Sequence, residues 1–364
     1  MLISEITNYL ESLAPLSLQE NYDNSGLIIG NKNDSVTGIL VCLDSLEAVV
    51  EEAIQLKCNL IIAHHPIIFT GLKKLNGNNY IERTIIKAIK NNIAIYAIHT
   101  NLDNIRDGVN SMIAEKLGLQ NCKVLTPKRG FLKKLVTFAP VENAGDVRTA
   151  IFNAGAGEIG NYDNCSFNLE GTGTFRGNEL STPYVGRKGE LHLEQETRIE
   201  VIFPSFLEQK VLSALFKGHP YEEVAYDIYS LDNFHQNIGA GMIGTLKQPI
   251  SEGDFLQLVK TTMQCGTLRH TALLQKPISK VAVCGGAGSF LLSDAIAAGA
   301  DIFISADFKY HQFFDADNKI LIADIGHYES EQYTIDMLCA VLTKKFPTFA
   351  VHFSKINTNP VNYL

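Results

Sequence analysis

Two adjacent histidines, His64 and His65, interrupt an apolar segment and are followed directly by Pro66. Adjacent residues of a regular strand point to opposite faces of a sheet, so a continuing strand would separate the two rings. Proline cannot donate to a hydrogen-bond ladder and restricts the residue before it, which predicts that the strand ends here. We therefore expect both imidazoles at the carboxyl end of a strand, the edge at which open α/β sheets bind ligands.

Two further motifs pair a histidine with a carboxylate four residues later. HTNLD carries His99 and Asp103, and HYESE carries His327 and Glu331, each at the end of a predicted strand. If a helix begins near residue 328, His327 and Glu331 share one of its faces. Imidazoles and carboxylates suit Zn, Mn, Fe or Co better than Ca. A carboxylate can bridge two such ions at about 3.5–4 Å, an arrangement that activates water, and Glu331 is the best candidate bridge.

Each of these motifs also has a purely structural explanation. Adjacent histidines can occur by chance or as loop contacts, and a single histidine such as His99 or His327 can be satisfied in the core. Glu329 and Glu331 suit the first turn of a helix because of the helix dipole. The coincidence of three motifs at three strand ends favours metal binding over these explanations.

Two weaker motifs follow predicted strands in the last third of the chain. CGGAGS, residues 284–289, offers backbone amides that can hold a phosphate, but it lacks the third glycine of a dinucleotide fingerprint and the lysine of a P-loop. A tight turn is the favoured interpretation. SADFKYH places Asp307, Lys309 and His311 near the expected metal site, where they can support a ligand, face a substrate or serve structure alone.

The elements that must position these residues are alternating strands and helices, typical of an α/β fold with parallel sheets. Apolar, β-branched runs predict strands at 38–44, 58–66 and 91–99 and, in the last third, at 280–286, 301–307 and 318–326. Asp44 and Glu47 match a capping box, which predicts that a helix begins after Asp44.

The two sets of strands also resemble each other in spacing. Cys42 and Cys284 end their first strands, and Ala63 and Ser305 follow each of them by 21 residues. The same alignment sets His65 opposite Asp307, His99 opposite His327 and Asp103 opposite Glu331. The spacing predicts an internal duplication, with two ordinary βαβ units as the alternative.

The middle of the chain has a different pattern. Its predicted elements follow the order β-α-β-β-α-β, typical of a ferredoxin-like (α+β) domain, with a Gly-rich loop at 171–192. We therefore predict a first α/β half at 1–130, an inserted ferredoxin-like domain at 131–239 and a second α/β half at 240–364.

Length and composition narrow the class of protein. A chain of 364 residues is too long for one ordinary domain, and a net charge of −8 argues against a nucleic-acid-binding surface. No apolar run approaches the roughly 20 residues of a membrane helix. Seven cysteines without a CxxC pair, and an amino terminus without a basic leader, predict a cytoplasmic protein with reduced thiols.

The combination of motifs resembles the Nif-three-like family, whose bacterial members carry the name GTP cyclohydrolase 1 type 2 homologue. The resemblance covers nearly the whole chain, including the insertion that longer members carry. Tyr22 stands where the family usually has tryptophan. The segments that carry the resemblance are NYDNSGLIIG, AHHPIIF, AIHTNLD, SADFKYH and DIGHYESE.

The resemblance implies two α/β halves forming a Nif-three-like core with two divalent metal ions per subunit, zinc first, with Mn, Fe or Co as alternatives. It assigns five metal ligands: His64, His65, Asp103, His327 and Glu331. It makes His99 the candidate catalytic residue for proton transfer. It also implies a homohexamer, a trimer of dimers shaped as a toroid.

The resemblance further implies a nucleotide-like small-molecule substrate. Its named form is hydrolytic opening of the GTP imidazole ring by metal-activated water, with release of formate. The alternative is a metal-binding scaffold or metal-delivery protein whose insertion recognises a partner or a small ligand.

Overall fold

The computed structural model describes all 364 residues of the chain. They form two compact units. One combines residues 1–126 with residues 237–364, and the other comprises residues 127–236. A middle segment thus interrupts a core built from both ends of the chain. The sequence predicts this segment at 131–239, so the predicted boundaries lie four and three residues beyond those of the structure.

The helices and strands follow one another in three stretches of the chain. Before the interruption they are α1 (Ile3–Leu13), β1 (Gly26–Ile29), β2 (Ile39–Asp44), α2 (Glu47–Gln55), β3 (Leu60–His65), α3 (Tyr80–Lys90), β4 (Ala94–Ala97), α4 (Thr100–Asp103), α5 (Val109–Lys116) and β5 (Gln120–Lys128). In the middle they are β6 (Leu132–Pro140), α6 (Ala144–Asn153), β7 (Phe167–Phe175), β8 (His192–Pro204), α7 (Glu208–Gly218) and β9 (Tyr226–Leu231). The last stretch contains β10 (His235–Ile250), α8 (Glu252–Thr262), β11 (Arg269–His270), β12 (Ile278–Ala287), α9 (Leu292–Ala297), β13 (Ile302–Ala306), β14 (Leu321–Asp324), α10 (His327–Glu331), α11 (Thr334–Lys345) and β15 (Val351–Phe353).

Two sheets carry the first unit. Their strand orders are β1-β4-β3-β2-β15 and β11-β14-β13-β12-β10-β5. Each sheet contains three consecutive parallel strands, β2, β3 and β4 in one and β12, β13 and β14 in the other. Both triplets have the same spatial order, which agrees with the spacing similarity of the two halves. The residues that follow β3, β4 and β14 all leave their sheets at carboxyl ends, where ligands bind in such folds.

Apolar side chains of both sheets meet in one shared core. Val41 and Ile62 of the first sheet and Val283 and Ile304 of the second belong to the same buried cluster, with apolar residues of α1, α5, α8 and α11. The alternate residues of the same strands, such as Cys42, point to the opposite faces and pack against α2 and α3 in one sheet and α9 in the other. Strands buried on both faces explain why the sequence shows continuous apolar runs rather than alternation.

The second unit is a four-stranded sheet with two helices on one face. Its strand order is β7-β8-β6-β9, and every pair of neighbours is antiparallel. Residues of α6 and α7 pack with the sheet in a separate apolar cluster. The predicted loop at 171–192 is partly wrong, because β7 continues to Phe175 and β8 already begins at His192. None of the helices in the chain combines the length and apolarity needed to cross a bilayer.

Candidate metal centre

The structure brings all six candidate residues to one place in the first unit. His64 and His65 are the last two residues of β3, and His99 follows β4. Asp103 ends the short helix α4, and His327 and Glu331 are the first and last residues of α10. Their ligand atoms form three overlapping groups, and the atoms of each group lie within 4.8 Å of one another. The groups are His64, His65 and His99; His65, His327 and Glu331; and His64, Asp103 and Glu331.

Glu331 is the centre of this cluster. Its side chain is only 3% exposed. One carboxylate oxygen, Oε2, lies 2.9 Å from His65 Nε2 and 3.2 Å from His327 Nε2. The other, Oε1, lies 3.9 Å from His64 Nε2. A single carboxylate therefore faces three imidazoles with two different oxygens, an arrangement that suits a ligand shared between two ions.

Two atoms of the cluster are buried without any hydrogen-bond partner. They are His64 Nε2 and Asp103 Oδ1, which lie 3.7 Å apart. A buried polar atom without a partner costs about 1–3 kcal/mol, and more when the group is charged. The gap between them is too long for a hydrogen bond. A cation between the two atoms would satisfy both, so the donor set fits a metal ion.

Three imidazoles, those of His64, His65 and His327, face the cluster with Nε2, and each has a hydrogen-bond partner at Nδ1 on the opposite side of its ring. His64 Nδ1 lies 2.8 Å from the carbonyl oxygen of Ile98, His65 Nδ1 lies 2.8 Å from Asp44 Oδ1, and His327 Nδ1 lies 2.7 Å from Asp307 Oδ2. A ring that donates its Nδ1–H in this way presents the lone pair of Nε2 to the cluster. Metal-binding histidines are usually fixed by such partners.

The role of Asp44 corrects the sequence analysis. Its side chain does not cap a helix, because α2 begins at Glu47 after Leu46 and has no side-chain cap. Asp44 is instead the last residue of β2, directly beside His65 of β3 in the parallel ladder. Its Oδ1 accepts the hydrogen bond from His65 Nδ1, so the tertiary contact with a strand neighbour prevails over the local capping pattern.

Charge interactions shift the pKa values of the cluster strongly. Burial together with the nearby Glu331 carboxylate raises the pKa of Asp103 to about 7. For His65, burial lowers the pKa, but Glu331 and Asp44 outweigh it and raise the value to about 10. Burial likewise opposes Glu331 and Asp307, which raise the pKa of His327 to about 11. Binding a metal ion requires neutral imidazoles, so an ion must displace these protons.

His99 lies beside the three inward-facing rings in a different setting. Its ring centre is 5.4 Å from that of His64 and 5.2 Å from that of His65. Its Nδ1 lies 2.8 Å from Oδ1 of Asp23, whose side chain is fully buried. Burial favours protonation of Asp23, but the His99 ring and Thr100 outweigh it and hold the pKa of this carboxyl well below its usual range.

Sequence reasoning missed Asp23 as the partner of His99. It lies in the segment NYDNSGLIIG, which carries the family resemblance, but no spacing rule connects it to His99, 76 residues later. Asp307, by contrast, was expected near the site and contacts His327. Lys309 and His311 of the same segment are exposed and belong to none of the metal-ligating groups.

The glycines of CGGAGS serve close packing against the cluster. Gly286 has a φ of +61°, and a Cβ added there would lie 2.5 Å from Glu331 Oε1. Its backbone N–H donates to Ser330 Oγ at 2.9 Å. A side chain at this position would push against the Glu331 carboxylate, which explains the glycine here. Gly286 lies within β12, at the register shift between Val283 and Ala287, so the predicted turn is instead an irregular part of the strand.

Replacing Asp307 by glycine is expected to weaken zinc binding about 10–100-fold, because His327 loses the acceptor that fixes its ring. Glycine suits this test because Asp307 has a φ of +58°, a left-handed conformation that glycine adopts without strain. The measurement is the zinc dissociation constant from competition with a chelator. Asp317→Gly is the matched control: this exposed aspartate is also left-handed but pairs with Lys319 only. Equal zinc affinity of Asp307→Gly and the control would contradict the prediction.

Comparisons with known proteins agree with this architecture. The family model of Duf34/NIF3 (NGG1p interacting factor 3) matches residues 1–360. The chain is 39% identical over 364 residues to a GTP cyclohydrolase 1 type 2 homolog of Halalkalibacterium halodurans, covering 99% of this chain and 98% of the relative. Among solved structures, a Bacillus cereus protein related to NIF3 superimposes with a TM-score of 0.88 at 41% identity, covering 100% of this chain and 99% of that one. Staphylococcus aureus protein SA1388 matches with a TM-score of 0.79 at 29% identity, again over 100% and 99% of the two chains.

Proposed function

Because the chain belongs to the Duf34/NIF3 family, we propose that it is a metal-dependent hydrolase whose centre holds two divalent ions. The observation that carries the proposal is the pair of buried atoms without partners, His64 Nε2 and Asp103 Oδ1, beside a carboxylate that two further imidazoles share. Ordinary packing gives no reason to bury these atoms 3.7 Å apart, whereas a cation satisfies both.

The proposed ligands fall into two sets that share Glu331. His64 and Asp103 with Glu331 would hold one ion, and His65 and His327 with Glu331 would hold the other, which the closeness of the ligand atoms within each set supports. We take zinc as the first candidate, with Mn, Fe and Co as alternatives, because imidazole nitrogens outnumber the carboxylates and no thiolate belongs to either set.

Two bound ions supply a lowered pKa for water and a positive charge that stabilises the developing negative charge of the reaction. The residues around them do the positioning and the proton transfer. Asp23 holds the Nδ1 proton of His99, which leaves Nε2 as the nitrogen that takes a proton from, or returns it to, the reacting groups. Asp44 and Asp307 keep the rings of His65 and His327 aimed at the cluster.

The proposed substrate is a nucleotide, and the specific reaction proposed is hydrolytic opening of the imidazole ring of GTP. The relatives' name supports this choice. In the structure, Phe69 is about half exposed and its ring stands edge-on to His99, with ring centres 5.8 Å apart. An exposed aromatic ring beside a proton-transfer residue suits the stacking of a purine base. One water opens the ring, and a second releases C8 as formate.

The test is to incubate the zinc-loaded protein with GTP and a panel of other nucleotides, and to follow the release of formate and phosphate. We expect turnover by the wild-type protein and none above background by His65→Ala, which removes a ligand of the second set. Absence of turnover with every nucleotide, or equal turnover by His65→Ala, would contradict the proposal. His270→Ala, a change at an exposed histidine outside the cluster, is the matched control.

Two finer points belong to the same proposal. We propose that residues 127–236 form a ferredoxin-like domain, which the order β-α-β-β-α-β and the sheet order β7-β8-β6-β9 support.

We also propose a homohexamer, a toroidal trimer of dimers, on the family resemblance alone. Light scattering of the purified protein tests the hexamer.

A metal-binding scaffold is the second candidate function. The observation that favours it is the middle unit, which has an apolar cluster of its own and contributes none of the clustered ligands. Wild-type protein that binds zinc through the five ligands but turns over no nucleotide would favour the scaffold over the hydrolase.

A further inference from the structure

The last eleven residues of the chain, 354–364, contain no helix or strand. They follow β15, which pairs in parallel with β2, the strand that ends in Asp44. Most of these residues are exposed or half-buried, and Thr358 is the one residue among them that is buried, at 8% exposure. A segment without regular structure that buries one polar side chain needs a specific reason for that burial.

Thr358 is buried because it hydrogen-bonds to Asp44, the residue that holds the ring of His65. Thr358 Oγ1 donates to Asp44 Oδ2 at 2.5 Å, while Asp44 Oδ1 accepts from His65 Nδ1. His65 Nε2 in turn lies 2.9 Å from Glu331 Oε2. An unbroken chain of side-chain contacts therefore runs from the carboxyl-terminal segment to the shared carboxylate of the centre.

A second contact joins the same segment to the helix that carries His327 and Glu331. Asn359 Nδ2 donates to Glu329 Oε1 at 3.2 Å, and Glu329 is a buried residue of that helix. A third contact lies away from the centre, where the backbone N–H of Lys355 and the hydroxyl of Ser354 both donate to Glu52. Tyr363 also hydrogen-bonds to Glu329, so the segment has three side-chain contacts next to the proposed ligands and a further contact, with Glu52, remote from them.

We infer that the carboxyl-terminal segment is a structural part of the metal centre, in which Thr358 is a positioning residue that orients His65 through Asp44. This inference rests on the proposed function, because it assumes that His65 binds an ion. Asp44 has a side chain that is 30% exposed, so without Thr358 its second oxygen turns to water and its orientation loosens. The ring of His65 then loses part of its orientation, and the ion held by His65, His327 and Glu331 binds less tightly.

The coupling between metal binding and docking of the carboxyl-terminal segment can be measured on either process, because thermodynamic coupling is reciprocal. If docking of the segment strengthens metal binding, metal binding must strengthen docking of the segment by the same factor. Zinc is therefore expected to slow hydrogen exchange of backbone amides in residues 354–361 of the wild-type protein, and this measurement needs no variant at all.

The experiment is a zinc titration of full-length protein against a chelator of known affinity. We expect Thr358→Val, which keeps the shape but removes the hydroxyl, to weaken one of the two zinc ions about 10-fold. Thr358→Ser keeps the donor and should bind zinc within about twofold of wild type. Ser354→Ala is the matched control, because it removes a hydroxyl of the same segment that contacts Glu52 instead of Asp44. Unfolding midpoints without zinc show whether each variant is folded.

The outcomes separate this inference from the proposed function. Equal zinc affinity of Thr358→Val and wild type, or hydrogen exchange in residues 354–361 that zinc leaves unchanged, overturns the inference while the hydrolase proposal stands. Should Thr358→Val fail to fold, the exchange measurement on the wild-type protein still decides. A wild-type protein that binds no zinc overturns the proposed function, and this inference with it.

Discussion

The variant Glu331→Gln is expected to bind neither zinc ion at concentrations that saturate the wild-type protein, and to lose all turnover. The amide has the same shape as the carboxylate but carries no negative charge, and its NH₂ group cannot coordinate a metal ion. Both ligand sets share this one residue, so both ions are affected at once. Glu331 is also buried against His65 and His327, which then lose their charged partner. Elemental analysis after dialysis against zinc measures the effect.

Asp301→Asn is the control for this variant. Asp301 precedes β13 at the amino end of the sheet, opposite the metal centre, where its carboxylate accepts hydrogen bonds from the backbone of Ser279 and Lys280. It is expected to retain both ions. If Glu331→Gln keeps two ions per chain, the bridging role of Glu331 is wrong.

His99→Gln is expected to lower kcat for nucleotide hydrolysis about 10²–10⁴-fold while the protein keeps both zinc ions. The physical reason is that glutamine has no nitrogen that can take up and release a proton near neutral pH. The side chain can still occupy the space beside Asp23, so the fold of the site is preserved. Steady-state kinetics and metal content are measured on the same sample.

The zinc content of His99→Gln tests the assignment of His99 independently of kcat. His99 also lies in one of the ligand groups, with His64 and His65. Loss of an ion in His99→Gln would identify His99 as a ligand, and unchanged kcat would exclude it from proton transfer. His270→Gln is the matched control, because it makes the same chemical change at an exposed histidine.

The clustering of the five proposed ligands could be predicted because each one lies at a boundary that the local sequence reveals. His64 and His65 are followed by a proline that ends the strand, and His327 and Glu331 show the four-residue spacing of one helical turn. Parallel strands then bring these boundaries to a common edge of the fold. Local sequence patterns were sufficient to predict which residues cluster, because these residues lie where strands end or a helix begins.

The residues that orient the ligands could not be predicted, because their partners lie far away along the chain. Asp44 contacts His65, 21 residues later, and Thr358, 314 residues later. Its local pattern with Glu47 indicated a helix cap, and only the register of β2 against β3 shows that it faces His65. Asp23 and His99 are likewise in contact although 76 residues separate them, so no local pattern connects the two.

Backbone pairing also prevailed over composition in the middle unit. Residues 171–175 belong both to an alternating pattern at 165–176, which predicts a strand, and to the Gly-rich stretch at 171–192, which predicts a loop, and in the structure they continue β7 as partners of β8. Gly173 lies across the ladder from the carboxylate of Glu196, and a Cβ there would lie 2.1 Å from Glu196 Oε2, so this carboxylate would have to move. Here the alternation predicts the structure correctly over 171–175, and the glycine content does not.

The interrupted first unit has a consequence for biosynthesis. The polypeptide emerges from the ribosome at about 5–20 residues per second, so Glu331 follows His65 by 266 residues, or about 13–53 s. During that time the whole middle unit, which has its own apolar cluster, is synthesised, whereas His64 and His65 have no Glu331 to contact. The cluster can therefore form only after Glu331 has been synthesised, and a translation product that stops before Glu331 lacks the carboxylate that faces His65 and His327.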